Sequence, residues 1–370
     1  MSEQIKILFV IPNLNIEGAQ CMLVSLICNM HSDRFKPCVV VLNTTKATRL
    51  TKRLNEMGVE IFFTKKIGSS FAKKKFQQLR HLARITKIVQ PDIIHAHLDY
   101  YATWVYALLS GRKIIETIHS QPYRIKNKWT VNIYPLLEKR KLIRPIFLTE
   151  SGSHEFMQVF HSKNEKMDII PNPIETNLYR CDKREKDKDK DNIRFTCIGR
   201  FHPVKNHKLL IDAFGEVVDK FPTAKLQLAG VGELLEREKE HVKDLGIEKN
   251  VLFLGEVENV ASLLAQTDVF VVSSNSESFS LVMLEAMASG LPIITTAVGG
   301  IRDIFVDNGI MVEAENKEEL RDAMFTMALD EELRARCGKK SFELSQNYDV
   351  SKIVALYEQV YFEEVCDEDK

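Results

Sequence analysis

The sequence predicts an α/β protein of two doubly wound, Rossmann-like parallel-sheet domains, and three observations carry that expectation. Short β-rich runs alternate with helix-length segments from end to end, the pattern of parallel sheets built from strand–helix–strand units. At 370 residues the chain exceeds what one ordinary core organises, so two domains of roughly 150–200 residues are expected. Near the middle, "PNPIETNLYRCDKREKDKDKDN" (171–192) has alternating charges and no apolar period, and reads as an exposed connection near residues 172–192. The boundaries that follow are 1–175, 176–349 and a terminal helical segment, 350–370.

Taken in order, the strands of the first domain read IKILFVI (5–11), PCVVVL (37–42), VEIFF (59–63), DIIHAH (92–97), KIIETIH (113–119), PIFLT (145–149) and MDIIP (167–171). Those of the second read IRFTCIG (193–199), AKLQLAG (224–230), NVLFLG (250–255), DVFVVSS (268–274), PIITT (292–296) and GIMV (309–312). Of these, DVFVVSS reads as a buried strand ending at Ser273 and Ser274. Residues 350–365 read as a helix with Ile353, Leu356, Tyr357 and Val360 on one face.

Composition excludes several classes. With 45% apolar and 28% charged residues the chain is an ordinary globular protein, and no apolar run approaches the roughly 18 residues a membrane span needs. The start, MSEQIKILFVIP, enters a strand without a basic leader or small-residue cleavage site, so a cytoplasmic location is expected. The seven cysteines are scattered, with no C-x-x-C pair and no histidine at metal spacing, which supports neither a disulfide framework nor a zinc site. The net charge of zero hides an asymmetry: residues 1–175 carry +12 and the remainder −12. The first half is thus a candidate for an anionic partner: lipid headgroups, a phosphorylated molecule or nucleic acid. Its charge is densest in FAKKKFQQLRHLARITK (71–87) and EKRKLIR (138–144), a composition that solvated helix faces share.

In open α/β sheets ligands bind beyond the carboxyl ends of strands, so the loops after strands matter most. GRFHPVKNH (199–207) places Arg200 and Lys205 outside a strand end and at the entrance to the helix NHKLLIDAFGEVV, a combination suited to a diphosphate. After DVFVVSS, Glu277 lies in a loop and a helix starts near Ser280, with open amides expected over Phe279, Ser280, Leu281 and Val282. On that helix Leu281, Leu284 and Ala288 form an apolar face with Glu285 at its edge, where a carboxylate needs either solvent or a hydrogen-bond partner. In the first half, Gly18 of PNLNIEGA stands just before a helix beginning near Ala19, without a dinucleotide fingerprint or a P-loop lysine. His119 ends its strand, and His95 and His97 share a face of another.

Taken together, GRFHPVKN, the Glu277/Glu285 pair in ESFSLVMLEAMASGLPI and the following Gly299–Gly300 resemble the family-four retaining glycosyltransferases, over nearly the whole chain. The resemblance implies the GT-B fold, two Rossmann-like domains facing across a cleft, with the last helix crossing back onto the first domain. It implies that Arg200 and Lys205 hold the donor diphosphate, Glu285 the ribose and Glu277 the hydroxyls of the transferred sugar. His119 matches the histidine at that sugar; with Glu277, Arg200 and Lys205 it makes the expected catalytic set. The amides of Phe279 to Val282 would contact phosphate or sugar, Gly18 would lie near the diphosphate and acceptor, and GEVEN (255–259) would border the base. One departure is Ala19, where the family often has a second glycine.

The implied activity is metal-independent transfer, with retention, from a nucleotide sugar, uridine ahead of guanosine, to a saccharide or lipid-linked acceptor. No cofactor, metal or nucleic-acid partner is expected. Asp-Lys-Asp triplets at 187–191 have the spacing of a metal motif in some sugar transferases, but no strand positions them. Peripheral contact with an anionic membrane face is the reading given to the basic clusters. A non-catalytic nucleotide-sugar-binding partner would need Arg200, Lys205 and Glu285 but not Glu277 and His119; a dehydrogenase would need the missing fingerprint.

Overall fold

The structure, a computed structural model, describes residues 4–43, 47–64, 70–163, 167–180 and 193–368. The chain divides into two compact units, one of residues 1–173 with 350–370 and one of residues 174–349.

The first unit is built on seven parallel strands: β1 (Ile5–Ile11), β2 (Phe35–Val41), β3 (Glu60–Phe63), β4 (Ile93–His97), β5 (Ile114–Ile118), β6 (Ile143–Phe147) and β7 (Asp168–Ile169), in the order β3-β2-β1-β4-β5-β6-β7. The second has six: β8 (Arg194–Ile198), β9 (Lys225–Ala229), β10 (Val251–Gly255), β11 (Val269–Val272), β12 (Ile293–Thr296) and β13 (Gly309–Val312), in the order β10-β9-β8-β11-β12-β13. Both are doubly wound, and all thirteen strands fall on the runs read from the sequence. The central strands are covered on both faces: Ile7 to Ile11 and Val269 to Val271 have no exposed surface. In each unit the order reverses beside the first strand, between β1 and β4 and between β8 and β11. The loops after these strands therefore diverge, which is where such sheets bind ligands.

The helix Val350–Glu368 packs within the first unit. Its Tyr361 hydroxyl lies 2.7 Å from His95 Nδ1, and Glu363 and Glu364 pair with Arg144 and Lys113, each at 2.6 Å. Its buried face is Ile353, Val354, Tyr357, Val360 and Tyr361; Leu356, expected on that face, is 42% exposed because it lies about 100° from the stripe's centre. The acids this helix returns lower the unit's charge from +13 for residues 1–173 to +9.

The central connection is not uniformly exposed. Asn172, Ile174 and Thr176 are buried, and the Ile174 amide donates to the Tyr348 carbonyl at 2.8 Å, which ties the segment into the second unit. Residues 181–192, with the Asp-Lys-Asp triplets, lie outside the described residues.

Candidate active site

At the centre of the second sheet, the loop after β8 and the loop after β11 are stitched together. The Asn275 amide donates to the Val204 carbonyl at 2.7 Å, Ser273 Oγ to the Lys205 carbonyl at 3.0 Å, and Asn206 Nδ2 to Asn275 Oδ1 at 2.8 Å. This fixes Lys205 and Glu277 opposite each other: Lys205 Nζ lies 2.5 Å from Glu277 Oε1, and Ser274 Oγ donates to the same oxygen at 2.8 Å. Lys205 is 27% and Glu277 11% exposed, so a largely desolvated ion pair sits at the switch point. Arg200 stands exposed at the start of the same loop.

A third loop supports the first. Gly230 (φ +143°) and Gly232 (φ +157°) follow β9, and a Cβ on them would fall 2.0 Å from the Gly199 carbonyl oxygen and 2.4 Å from that of Phe201. Only glycine permits backbones this close in these conformations. The loop is held by the Phe201 amide donating to the Val231 carbonyl at 3.0 Å. Sequence reasoning passed over these residues, although a Gly-Val-Gly directly after a strand was the signal.

The helix Leu281–Ala288 starts at Ser280, which takes an extended N-cap conformation yet makes no side-chain cap. Its Oγ is buried without a hydrogen-bond partner among the described residues. A buried hydroxyl and the uncapped first-turn amides together fit an anion, both being donors that folding leaves unspent. The helix His207–Lys220 behaves differently: Asn206 Oδ1 accepts from the Leu209 amide at 3.3 Å, so the donors expected there are partly consumed.

Glu285 has its partner inside the same unit, because the Tyr179 hydroxyl donates to its Oε1 at 2.9 Å. The helix face differs from the sequence reading. Met283, Leu284, Ala286, Met287 and Ala288 are all buried, whereas Leu281 and Val282 are half-buried, since the helix packs on both the sheet and the helix Glu331–Ser345. Gly338 lets the two helices close up: a Cβ there would meet the Gly290 carbonyl oxygen at 2.3 Å. The Phe279 ring packs edge-on to Tyr348, 6.2 Å between centroids. Gly255, which opens GEVEN, has φ +65° and accepts from the Gly230 amide at 2.7 Å.

In the first unit Gly18 is the exposed first residue of the helix Gly18–Cys28, whose N-cap Glu17 makes no side-chain cap. His119 follows β5 directly, its Nε2 2.9 Å from His97 Nδ1, and burial pulls its pKa down to about 3. His95 on the same sheet face is bonded to Thr117 Oγ1 at 2.8 Å as well as to Tyr361, and is likewise held near 3 by burial. Among the described residues no group of three or more His, Cys, Asp and Glu is placed to hold a metal.

The basic clusters resolve into separate parts. Lys75 pairs with Asp99 at 3.2 Å and is 17% exposed, and Arg144 is enclosed by Asp168 and Glu363, so neither is a free surface charge. On the helix Phe71–Val89, Lys73, Phe76, Arg80, Arg84 and Lys87 are exposed, and at 100° per residue they share one face. No described helix is long and apolar enough to cross a membrane.

Comparison with known proteins places both halves. Residues 16–178 match the model "Glycosyltransferase Family 4" and residues 180–344 the model "Glycosyl transferases group 1". The chain is 38% identical over 174 residues to N-acetyl-alpha-D-glucosaminyl L-malate synthase of Bacillus anthracis, a match spanning 46% of this chain and 45% of that relative's length. It is 22% identical over 307 residues to D-inositol 3-phosphate glycosyltransferase of Corynebacterium glutamicum, covering 75% and 73%. The crystal structure of Anabaena Alr3699/HepE in complex with UDP-glucose superposes with a TM-score of 0.81 at 18% identity, covering 97% of this chain and 100% of that one, and so shares the fold.

Proposed function

The chain belongs to the GT-B glycosyltransferases of the family-four type, and from that premise we propose that it moves a sugar from a nucleotide-sugar donor to a saccharide or lipid-linked acceptor, with retention of configuration and without a metal. The observation that carries this reading is the Lys205–Glu277 pair on the loops after β8 and β11. In the reaction negative charge grows on the departing diphosphate, so fixed cations and amides favour the transition state more than the ground state. Lys205 and Arg200 take the diphosphate, with the first-turn amides and the Ser280 hydroxyl as neutral donors. Glu285, oriented by Tyr179, accepts from the ribose. Glu277, released from Lys205 when phosphate arrives, accepts from hydroxyls of the transferred sugar. With two cations and a helix end in place, no metal is needed to neutralise the leaving group.

Retention rests on family membership. The bound UDP-glucose of the fold relative makes a uridine diphosphate sugar the first donor to test, ahead of guanosine. The exposed Lys73–Lys87 face suits peripheral attachment to an anionic, cytoplasmic membrane surface carrying a lipid-linked acceptor. Measuring nucleotide released from a panel of uridine and guanosine diphosphate sugars tests the reading. Release from at least one is expected; binding without release from every one, with any acceptor, would leave a non-catalytic binding protein.

A further inference from the structure

We propose that His97 is a positioning residue: its Nδ1–H donates to His119 Nε2 and fixes His119 as the Nδ1–H tautomer, so that the ring offers a hydrogen-bond donor beyond the carboxyl end of β5. The inference deepens the reading above and rests, for the role of His119 at the transferred sugar, on the family resemblance behind that reading, but the tautomer itself follows from hydrogen-bond accounting in the first unit.

His97 has no exposed surface. Its Nδ1 lies 2.9 Å from His119 Nε2, and its Nε2 is buried with no partner among the described residues. A neutral imidazole carries one N–H and one lone pair. With the proton on Nε2, His97 would bury an N–H that finds no acceptor. With the proton on Nδ1, the N–H is used and only a lone pair is left over, and orphaned donors are the rarer of the two in folded proteins. His119 Nε2 is then the acceptor, which puts the His119 proton on Nδ1. Both rings are neutral, because burial holds the His97 imidazole well below its ordinary range and that of His119 near 3.

The rest of the sheet face keeps His97 in place. The His95 ring lies 4.3 Å from it between centroids and Phe9 6.2 Å. His95 is itself held at both nitrogens, by Tyr361 and Thr117. His119 Nδ1 makes no hydrogen bond among the described residues. The group that meets His119 must therefore accept a hydrogen bond; on the reading above it is a sugar hydroxyl oxygen, and His119 is a polar clamp rather than a base that takes a proton from the acceptor.

Two-bond proton–nitrogen correlation spectra of protein labelled with nitrogen-15 histidine test this, with His119→Asn assigning the His119 signals among the ten histidines. The parent protein is expected to show His119 as the Nδ1–H tautomer. His97→Phe, which removes the donor, is expected to move it to the Nε2–H form that free histidine prefers and to lower kcat about tenfold with KM within twofold. His97→Asn, whose amide nitrogen stands near Nδ1, is expected to restore both. An Nε2–H tautomer in the parent, or an unchanged one in folded His97→Phe, would overturn the proposal, and the parent spectrum decides even if His97→Phe does not fold. If the tautomers behave as expected while His119→Asn keeps full activity, the positioning stands and the role assigned to His119 fails instead.

Discussion

Lys205 Nζ and Glu277 Oε1 lie 2.5 Å apart on loops that leave adjacent strands of the second sheet, and the pair has little access to solvent. Two opposite charges held there before any ligand arrives can each be redirected: the cation to a diphosphate, the carboxylate to hydroxyls. Ser274, bonded to the same Glu277 oxygen, keeps that carboxylate in place when Lys205 turns away.

Lys205→Ala is expected to lower turnover by roughly 10²–10³-fold, the scale of losing one charge-stabilising donor. Circular dichroism should show the fold intact, because β8 and β11 are held by their own ladder and by Val204 and Asn275. A folded variant as active as the parent would remove Lys205 from the reaction.

Activity should survive chelation. Turnover after dialysis against EDTA is expected to stay within twofold of the untreated protein, since Arg200, Lys205 and the uncapped helix supply the positive charge. Loss of turnover reversed by manganese would contradict this.

Stability should fall as pH drops below 6.5. His95 and His119 titrate near 3 in the folded chain and His97 well below its ordinary range, against 6.5 when free of these surroundings. Between those values the unfolded chain binds the extra protons, so folding is disfavoured progressively from pH 6.5 downward, and these groups have no effect above it. The fully buried His95 and His97 each contribute about 1.4 kcal/mol per pH unit, and the half-buried His119 less. Urea unfolding at pH 7 and pH 5 should show a shallower pH dependence for His97→Phe than for the parent; equal slopes would mean that His97 is not buried neutral.

Vesicle sedimentation should rise with anionic lipid content and fall with salt. It should weaken when Lys73, Arg80 and Arg84 are changed to Ser together, by about 1 kcal/mol for each charge. Lys75→Ser should act through the first unit's stability, because Lys75 is paired with Asp99. Equal sedimentation with neutral and anionic vesicles would leave this face without a membrane role.

The sequence made the strands legible because strands covered on both faces are apolar over most of their length, even where buried polar residues such as His95, His97 and Glu116 interrupt them. The loop residues Lys205 and Glu277 were legible as site candidates, but their ion pair was not, since nothing local reveals that two loops 72 positions apart are stitched by Ser273 and Asn275. Glu285 poses the same problem: its edge position was readable, its partner Tyr179, 106 positions away, was not. Lys75 and Arg144 read as surface charges because composition records charge and not its neighbours. His97 and His119 were each visible, but their contact depends on how β4 and β5 pair, with His97 beside Thr117.

The central claim, that the second unit's switch point holds a nucleotide-sugar donor, is tested most directly by titrating uridine diphosphate and guanosine diphosphate calorimetrically into the parent, Glu285→Gln and Glu277→Gln proteins. Losing a charge-assisted hydrogen bond costs about 1.5–3 kcal/mol, so Glu285→Gln is expected to weaken the bound diphosphate roughly 10–100-fold. Glu277→Gln should not weaken that affinity, because it leaves Lys205 free for the diphosphate, while impairing turnover of the whole nucleotide sugar. No binding of either diphosphate by the folded parent, or equal affinity in Glu285→Gln, would contradict the claim.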